Sequence, residues 1–282
     1  MTDIVIAIDG TGKWDNDAYK EVMEGGEYKS FASRISKSAE NRGAKVFYQR
    51  GPSLLAPESS FYATLSVMKY VASLARSDTN APIRVFITGF SRGAMIATYV
   101  ANQIAKFNTL HGLYSKTTTA MKRNLGFKEA EPVDINLESV ILFDSVDSDI
   151  TMGGPEIRKL PASVKAGTHF ICGNGSTSRS FFNRIVLGNP SSQIRVKPYR
   201  CTHSCIGGIP GEGDAAPNKS DFTNNKAIFS GDMTQKSWGA RMLAEAGFEK
   251  CNVTIAEDKQ IFKRIEADVN RQLQAQNWPA SL

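Results

Sequence analysis

An α/β fold built on a mostly parallel central sheet, with helices on both faces, is the architecture this sequence predicts. Three observations carry it. Short β-branched runs alternate with helical patterns through the first half of the chain, most of these runs stop at glycine, proline or aspartate, and one of them leads straight into Gly89-x-Ser91-x-Gly93 and a new helix.

Ile4–Ile8 reads as the first strand, closed by Asp9-Gly10. Lys45–Gln49 is the second, followed by the Gly51-Pro52 breaker and a helix with apolar residues at Phe61, Leu65, Met68, Val71 and Leu74. Ile83–Thr88 is the third, and the helix after it repeats Ile96, Val100 and Ile104 every four residues, which places one apolar face against a core. Val140–Phe143, His169–Cys172 and Gln193–Pro198 continue the series. Ile261, Ile265, Val269 and Leu273 mark an amphipathic C-terminal helix. Two stretches depart from the pattern. Residues 107–132 are polar and basic, the expected place for a lid inserted after the serine's helix, and residues 207–231 are rich in Gly, Asn and Asp and read as a long loop. With no repeat and no linker, residues 1–282 are expected to form one domain.

The 282 residues are enough for a sizeable core. A content of 41% hydrophobic and 22% charged residues excludes disordered, collagenous and coiled-coil classes. A net charge of +6 favours approach to anionic surfaces without naming a partner. No run of 18 apolar residues is present, and the start lacks the basic region and cleavage site of a secretory signal, so the expected location is cytoplasmic. The four cysteines contain no Cys-x-x-Cys pair. Cys201 and Cys205 flank His203, a spacing compatible with metal ligation, but no fourth ligand is evident, and buried reduced thiols are the expectation. Neither a metal nor a cofactor is expected.

Gly89-x-Ser91-x-Gly93 matches a nucleophile elbow, a sharp strand-to-helix turn that lifts a serine oxygen above the sheet edge and leaves no room for side chains at the flanking positions. As a bare pattern it is weak, and a plain turn is the competing reading. Its position between a strand and a helix favours chemistry. A serine hydroxyl needs a base near neutral pH, usually histidine. Of three histidines, His111 falls in a polar segment and His169 at the start of a strand, where a core role competes; His203 follows the last strand and precedes a glycine loop, and is the expected base. The base needs an acid to fix its tautomer. Asp144 ends the strand Val140–Phe143 and is the expected acid, with Asp147 and Asp149 in reserve and backbone capping as its competing role. Two backbone N–H groups are expected to hold the oxyanion: Arg92, the residue after the serine, and either Gly10 or Thr11 in the first loop.

That loop excludes three rivals. Gly10-Thr11-Gly12-Lys13-Trp14 lacks the spacing and the hydroxyl of a phosphate-binding P-loop. The nucleophilic aspartate of haloacid-dehalogenase-type phosphatases would fall on Ala7, and Gly-x-Gly-x-x-Gly is absent after the first strand.

Together, Ile-Asp-Gly-Thr-Gly (8–12), Gly-Phe-Ser-Arg-Gly-Ala (89–94), Leu-Phe-Asp-Ser-Val (142–146) and Thr-His-Ser-Cys-Ile-Gly-Gly (202–208) resemble the DUF2235 family of α/β hydrolases, which includes Tle1-like phospholipase effectors of bacterial type VI secretion. The resemblance implies an α/β-hydrolase fold and ester hydrolysis on lipids or related acyl substrates, with Ser91, Asp144 and His203 in the active site. It also makes peripheral membrane contact and signal-less export compatible with the chain, and gives no reason to expect nucleic acid. The chain departs from the family at Cys205, where an aspartate is usual, and at Asn174-Gly175, where the family carries an acidic pair. The sequence therefore predicts a metal-independent serine hydrolase cleaving carboxylic esters through an acyl-enzyme, a phospholipase or a lipase-like esterase. Its rival is a binding or scaffolding protein that kept the fold and lost turnover.

Overall fold

The computed structural model describes residues 2–10, 29–49, 82–109, 135–147, 158–173, 183–184, 194–210 and 253–282. Its centre is a six-stranded, all-parallel sheet formed by β1 (Thr2–Ile8), β2 (Lys45–Gln49), β3 (Ile83–Phe90), β4 (Ile135–Phe143), β6 (Ala166–Cys172) and β8 (Ile194–Tyr199), in the order β2-β1-β3-β4-β6-β8. Two-residue strands β5 (Val146–Asp147) and β7 (Asn183–Arg184) pair antiparallel beside it. The order reverses between β1 and β3, and a crevice outside the carboxyl ends of strands at such a switch point is where open α/β sheets place ligands.

Alternation along the strands divides the core into two layers. Ile4, Ile6 and Ile8 of β1 and Val85 and Ile87 of β3 join Met95, Ile96, Val100 and Ile104 of helix α2 (Arg92–Thr109). Val5 and Phe86 turn the other way, toward Phe31 and Ile35 of α1 (Phe31–Asn41) and Phe262, Ile265, Val269 and Leu273 of α4 (Ile255–Ala275). The helices thus cover both faces, as the alternating pattern predicts.

β4 begins five residues before its expected start. The register with β3 shifts between Val85 and Phe86, so Val85 pairs with Leu137 and Phe86 with Ser139. That bulge lets Ile135 and Leu137, odd in number, share a face with the even-numbered Val140 and Leu142, which hides the strand from a period-two reading. Helix α1 was not anticipated. Its apolar side is short, and its start is set by Ser30, whose hydroxyl accepts from Ser33 N–H at 3.0 Å. Helix α4 opens with a capping box between Thr254 and Glu257, and the residues just past its end tie it to the sheet, Trp278 Nε1 donating to Ser139 Oγ at 2.7 Å and the half-buried Gln276 Nε2 to Thr168 Oγ1 at 2.9 Å. Of the expected insertion, residues 107–109 continue α2, and 110–132 lie outside the described residues, as do the helix expected around 61–74 and the loop from 211 to 231. No helix among the described residues is long and apolar enough to cross a membrane.

Candidate active site

Because the sheet is parallel, the ends of β1, β3, β4 and β8 deliver Asp9-Gly10, Ser91, Asp144 and His203 to the same edge. Ser91 occupies the turn between β3 and α2 with φ 57°, left-handed backbone that a serine adopts only at a cost of order 1–3 kcal/mol. Close packing explains both flanking glycines. A methyl group at Gly89 would lie 2.6 Å from Gly93 O, and one at Gly93 would run into the Ile8 and Asp9 carbonyl groups at the end of β1. Ser91 N–H donates to Phe143 O at 2.9 Å, and Val146 N–H returns a bond to Ser91 O at 3.3 Å, so the serine turn is stitched to the chain on both sides of Asp144. Ser91 Oγ is buried and makes no hydrogen bond among the described residues.

Asp144, also at positive φ (39°), is fully buried. One carboxylate oxygen accepts from Cys172 N–H at 3.1 Å, and the other meets His203 Nδ1 at 2.6 Å. A carboxylate only accepts, so this contact places the proton on Nδ1 and turns the Nε2 lone pair away from Asp144. His203 opens the short helix α3 (His203–Ile206), which leads into Gly207 and Gly208, and Thr202 caps that helix by accepting from Cys205 N–H at 3.2 Å. The imidazole packs against Phe90, ring centroids 4.8 Å apart. Phe90 immediately precedes Ser91, and a methyl group at Gly10 would meet Phe90 Cδ1 at 2.7 Å and Ser91 Cβ at 3.2 Å. One ring therefore spans the serine turn, the first loop and the histidine. Gly207 and Gly208 follow from the same crowding: a methyl group at Gly207 would strike the Phe90 ring, and Gly208 sits at φ 103° against Phe31 N.

The remaining expected residues fall as follows. Arg92 is buried at the first position of α2. Gly10 lies beside Ser91, and its N–H donates to Asp9 Oδ1 at 3.0 Å; Thr11 is outside the described residues, as are His111 and Asp149. Asp147 lies in β5. His169, the competing base, is buried within β6 and accepts Ser145 N–H at 3.2 Å on Nε2, a bond that holds the turn after Asp144.

Two carboxylates were not singled out from sequence. Asp9, fully buried, accepts from Ser30 Oγ at 2.6 Å and Tyr48 Oη at 2.7 Å and so anchors the end of β1 where Gly10 follows. Its signal was the Asp-Gly pair closing a strand. Asp258, in the first turn of α4, accepts from Thr202 N–H at 2.9 Å and Thr202 Oγ1 at 3.0 Å. No local pattern marks it, because its partners are 56 residues away.

Among the described residues, Cys201, Cys205 and Asp258 bring three buried ligand atoms within 4.8 Å of one another. A closed structural zinc centre takes four donors. Burial and the neighbouring Cys205 push the Cys201 thiol well above its ordinary range, Cys205 Sγ points at Asp258 O (3.3 Å), and Cys172 Sγ at Cys201 O (2.7 Å). These contacts fit protonated thiols packed around the histidine's loop.

No protein-family profile matches the chain, and no curated protein does. Among solved structures, the chain is similar to an uncharacterized protein from Pseudomonas aeruginosa, at 15% identity and a TM-score of 0.47, over 95% of this chain and 53% of that one. It is also similar to the Tle1 effector bound to the VgrG spike of the type VI secretion system, at 18% identity and a TM-score of 0.40, over 76% of this chain and 52% of that one. The chain spans about half the length of either structure.

Proposed function

We propose that the chain is a serine hydrolase acting on carboxylic esters, with Ser91 as nucleophile, His203 as general base and Asp144 as the acid that orients it. The observation that carries this reading is the buried Asp144–His203 contact at 2.6 Å, delivered beside a serine held at positive φ in a strand-to-helix turn. In this mechanism His203 Nε2 takes the Ser91 proton as Oγ attacks the ester carbonyl, and Asp144 stabilises the imidazolium that forms. Arg92 N–H and Thr11 N–H hold the developing oxyanion, each worth about 3 kcal/mol of transition-state stabilisation; Thr11 is preferred to Gly10 because Gly10 N–H is already bonded to Asp9 Oδ1 at 3.0 Å. The alcohol leaves with the proton from His203, and water reverses the steps to release the acid. Phospholipid or another long acyl ester is the substrate class that the DUF2235 resemblance suggests, and the net charge of +6 suits an anionic lipid surface.

The test is labelling with a fluorophosphonate probe followed by hydrolysis of acyl esters of increasing chain length. The wild type is expected to carry the probe on Ser91 and to hydrolyse at least one ester, and Ser91→Ala to do neither. An unlabelled, inactive wild type would leave the fold without the chemistry and favour a binding role.

A further inference from the structure

The geometry points to Asp258 as a positioning residue: a carboxylate on the C-terminal helix that grips the residue before His203 and so holds the imidazole on Asp144. This assignment rests on the serine-hydrolase reading and adds to it a residue that acts through Thr202.

His203 belongs to a segment with little regular structure of its own. β8 ends at Tyr199, and α3 is only four residues long, too short to hold a side chain still by its own backbone bonds. Its orientation must come from outside. Asp144 and the Phe90 ring hold the imidazole itself, and Asp258 holds the backbone that carries it through two bonds to a single residue, accepting Thr202 N–H on Oδ1 (2.9 Å) and the Thr202 hydroxyl on Oδ2 (3.0 Å). The same hydroxyl accepts from Cys205 N–H, so the grip passes directly into the cap of α3. Cys205 Sγ closes the ring at Asp258 O. Asp258, Thr202 and Cys205 are all buried, which strengthens each bond relative to water. The base of the grip is firm: α4 begins with the Thr254–Glu257 capping box and buries Phe262, Ile265, Val269 and Leu273 against the sheet. On the other side of His203, Gly207 O accepts from Phe31 N–H at 2.9 Å, tying the end of α3 to α1. The histidine is thus suspended between two helices, and Asp258 fixes the end that precedes it.

Loss of this grip lets the imidazole drift from Asp144, and a misplacement of about 1 Å at a catalytic group costs on the order of a hundredfold in rate. The experiment compares Asp258→Asn, Thr202→Val and the double variant with Thr202→Ser, which keeps both bonds, and Glu257→Ala, which removes the capping box at the helix start without touching Thr202. Ester hydrolysis is expressed per titrated active site. Asp258→Asn and Thr202→Val are each expected to lower kcat by roughly tenfold to a hundredfold with KM unchanged, and the double variant to lose no more than the worse single one. Thr202→Ser is expected to stay within about threefold of wild type, and Glu257→Ala to lower the melting temperature while leaving kcat per site intact. Additive losses in the double variant, or a loss from Glu257→Ala equal to that from Asp258→Asn, would overturn the assignment and leave Asp258 a stabiliser of α4. So would a stoichiometric metal ion in native mass spectra that is lost on Cys201→Ser, since coordination would then hold the loop. If the wild type labels on Ser91 while the Asp258 and Thr202 variants match it, only this inference fails; an unlabelled wild type removes the hydrolase reading beneath it.

Discussion

Replacing Asp144 with asparagine isolates the electrostatic step from the fold. The side chain keeps its shape, and its carbonyl still accepts Cys172 N–H. What changes is the atom facing His203. The amide nitrogen is a donor, so the imidazole is driven to accept on Nδ1 and to carry its proton on Nε2, where it cannot take one from Ser91. The positive charge that develops on the ring also loses its partner. At 2.6 Å, and with an effective dielectric near 20, that attraction is about 6 kcal/mol at most, while a loss of about 10⁴-fold, the size expected for a wrong tautomer, corresponds to about 5 kcal/mol. The two figures agree in scale. The expected result is therefore a fall in kcat of about 10⁴-fold, with circular dichroism and the thermal midpoint close to wild type and fluorophosphonate labelling slowed in parallel. A properly folded Asp144→Asn protein that keeps kcat within about tenfold of wild type would refute the assignment of Asp144 and return Asp147 and Asp149 to consideration.

Gly93→Ala forces a methyl group into the Ile8 and Asp9 carbonyl groups and is expected to cost about 1–3 kcal/mol or more, lowering the melting temperature by about 2–12 °C in differential scanning fluorimetry and abolishing ester hydrolysis as the turn shifts. Tyr48→Phe removes one donor to the buried Asp9 carboxylate; urea denaturation is expected to show a loss of about 1.5–3 kcal/mol, and hydrolysis falls as Asp9 and Gly10 shift beside Ser91. The Cys201 thiol, raised by burial, favours the folded state while protonated. Its contribution is complete below the ordinary thiol range near pH 8.5 and is lost as pH climbs from there through the raised folded value, so denaturation midpoints are expected to fall on that alkaline limb, and Cys201→Ala to flatten it. The same thiol is expected to resist iodoacetamide at pH 8 until the chain is unfolded.

The sequence by itself determined the sheet and the serine turn, because both are local. Strands Ile4–Ile8, Lys45–Gln49 and Ile83–Thr88 show in runs of β-branched and aromatic residues, and helices α2 and α4 in four-residue apolar spacing. The turn at Ser91 is legible because two glycines must flank it for Gly93 to touch β1. Chain position alone also singled out Asp144 and His203, since a parallel sheet sends every strand's carboxyl end to one edge. Local pattern failed where a neighbour sets the rule. The bulge opposite Val85 and Phe86 swaps the parity of β4 and hid its first five residues, and α1 depends on Ser30 serving at once as its cap and as a donor to Asp9. Tertiary structure alone decided what holds the site. It set His169 to brace the turn after Asp144, placed the Phe90 ring between the serine turn and His203, and brought Asp258 to Thr202 across 56 residues. Such bonds between distant segments leave no periodicity to read, because their geometry exists only once the sheet has brought the strand ends together.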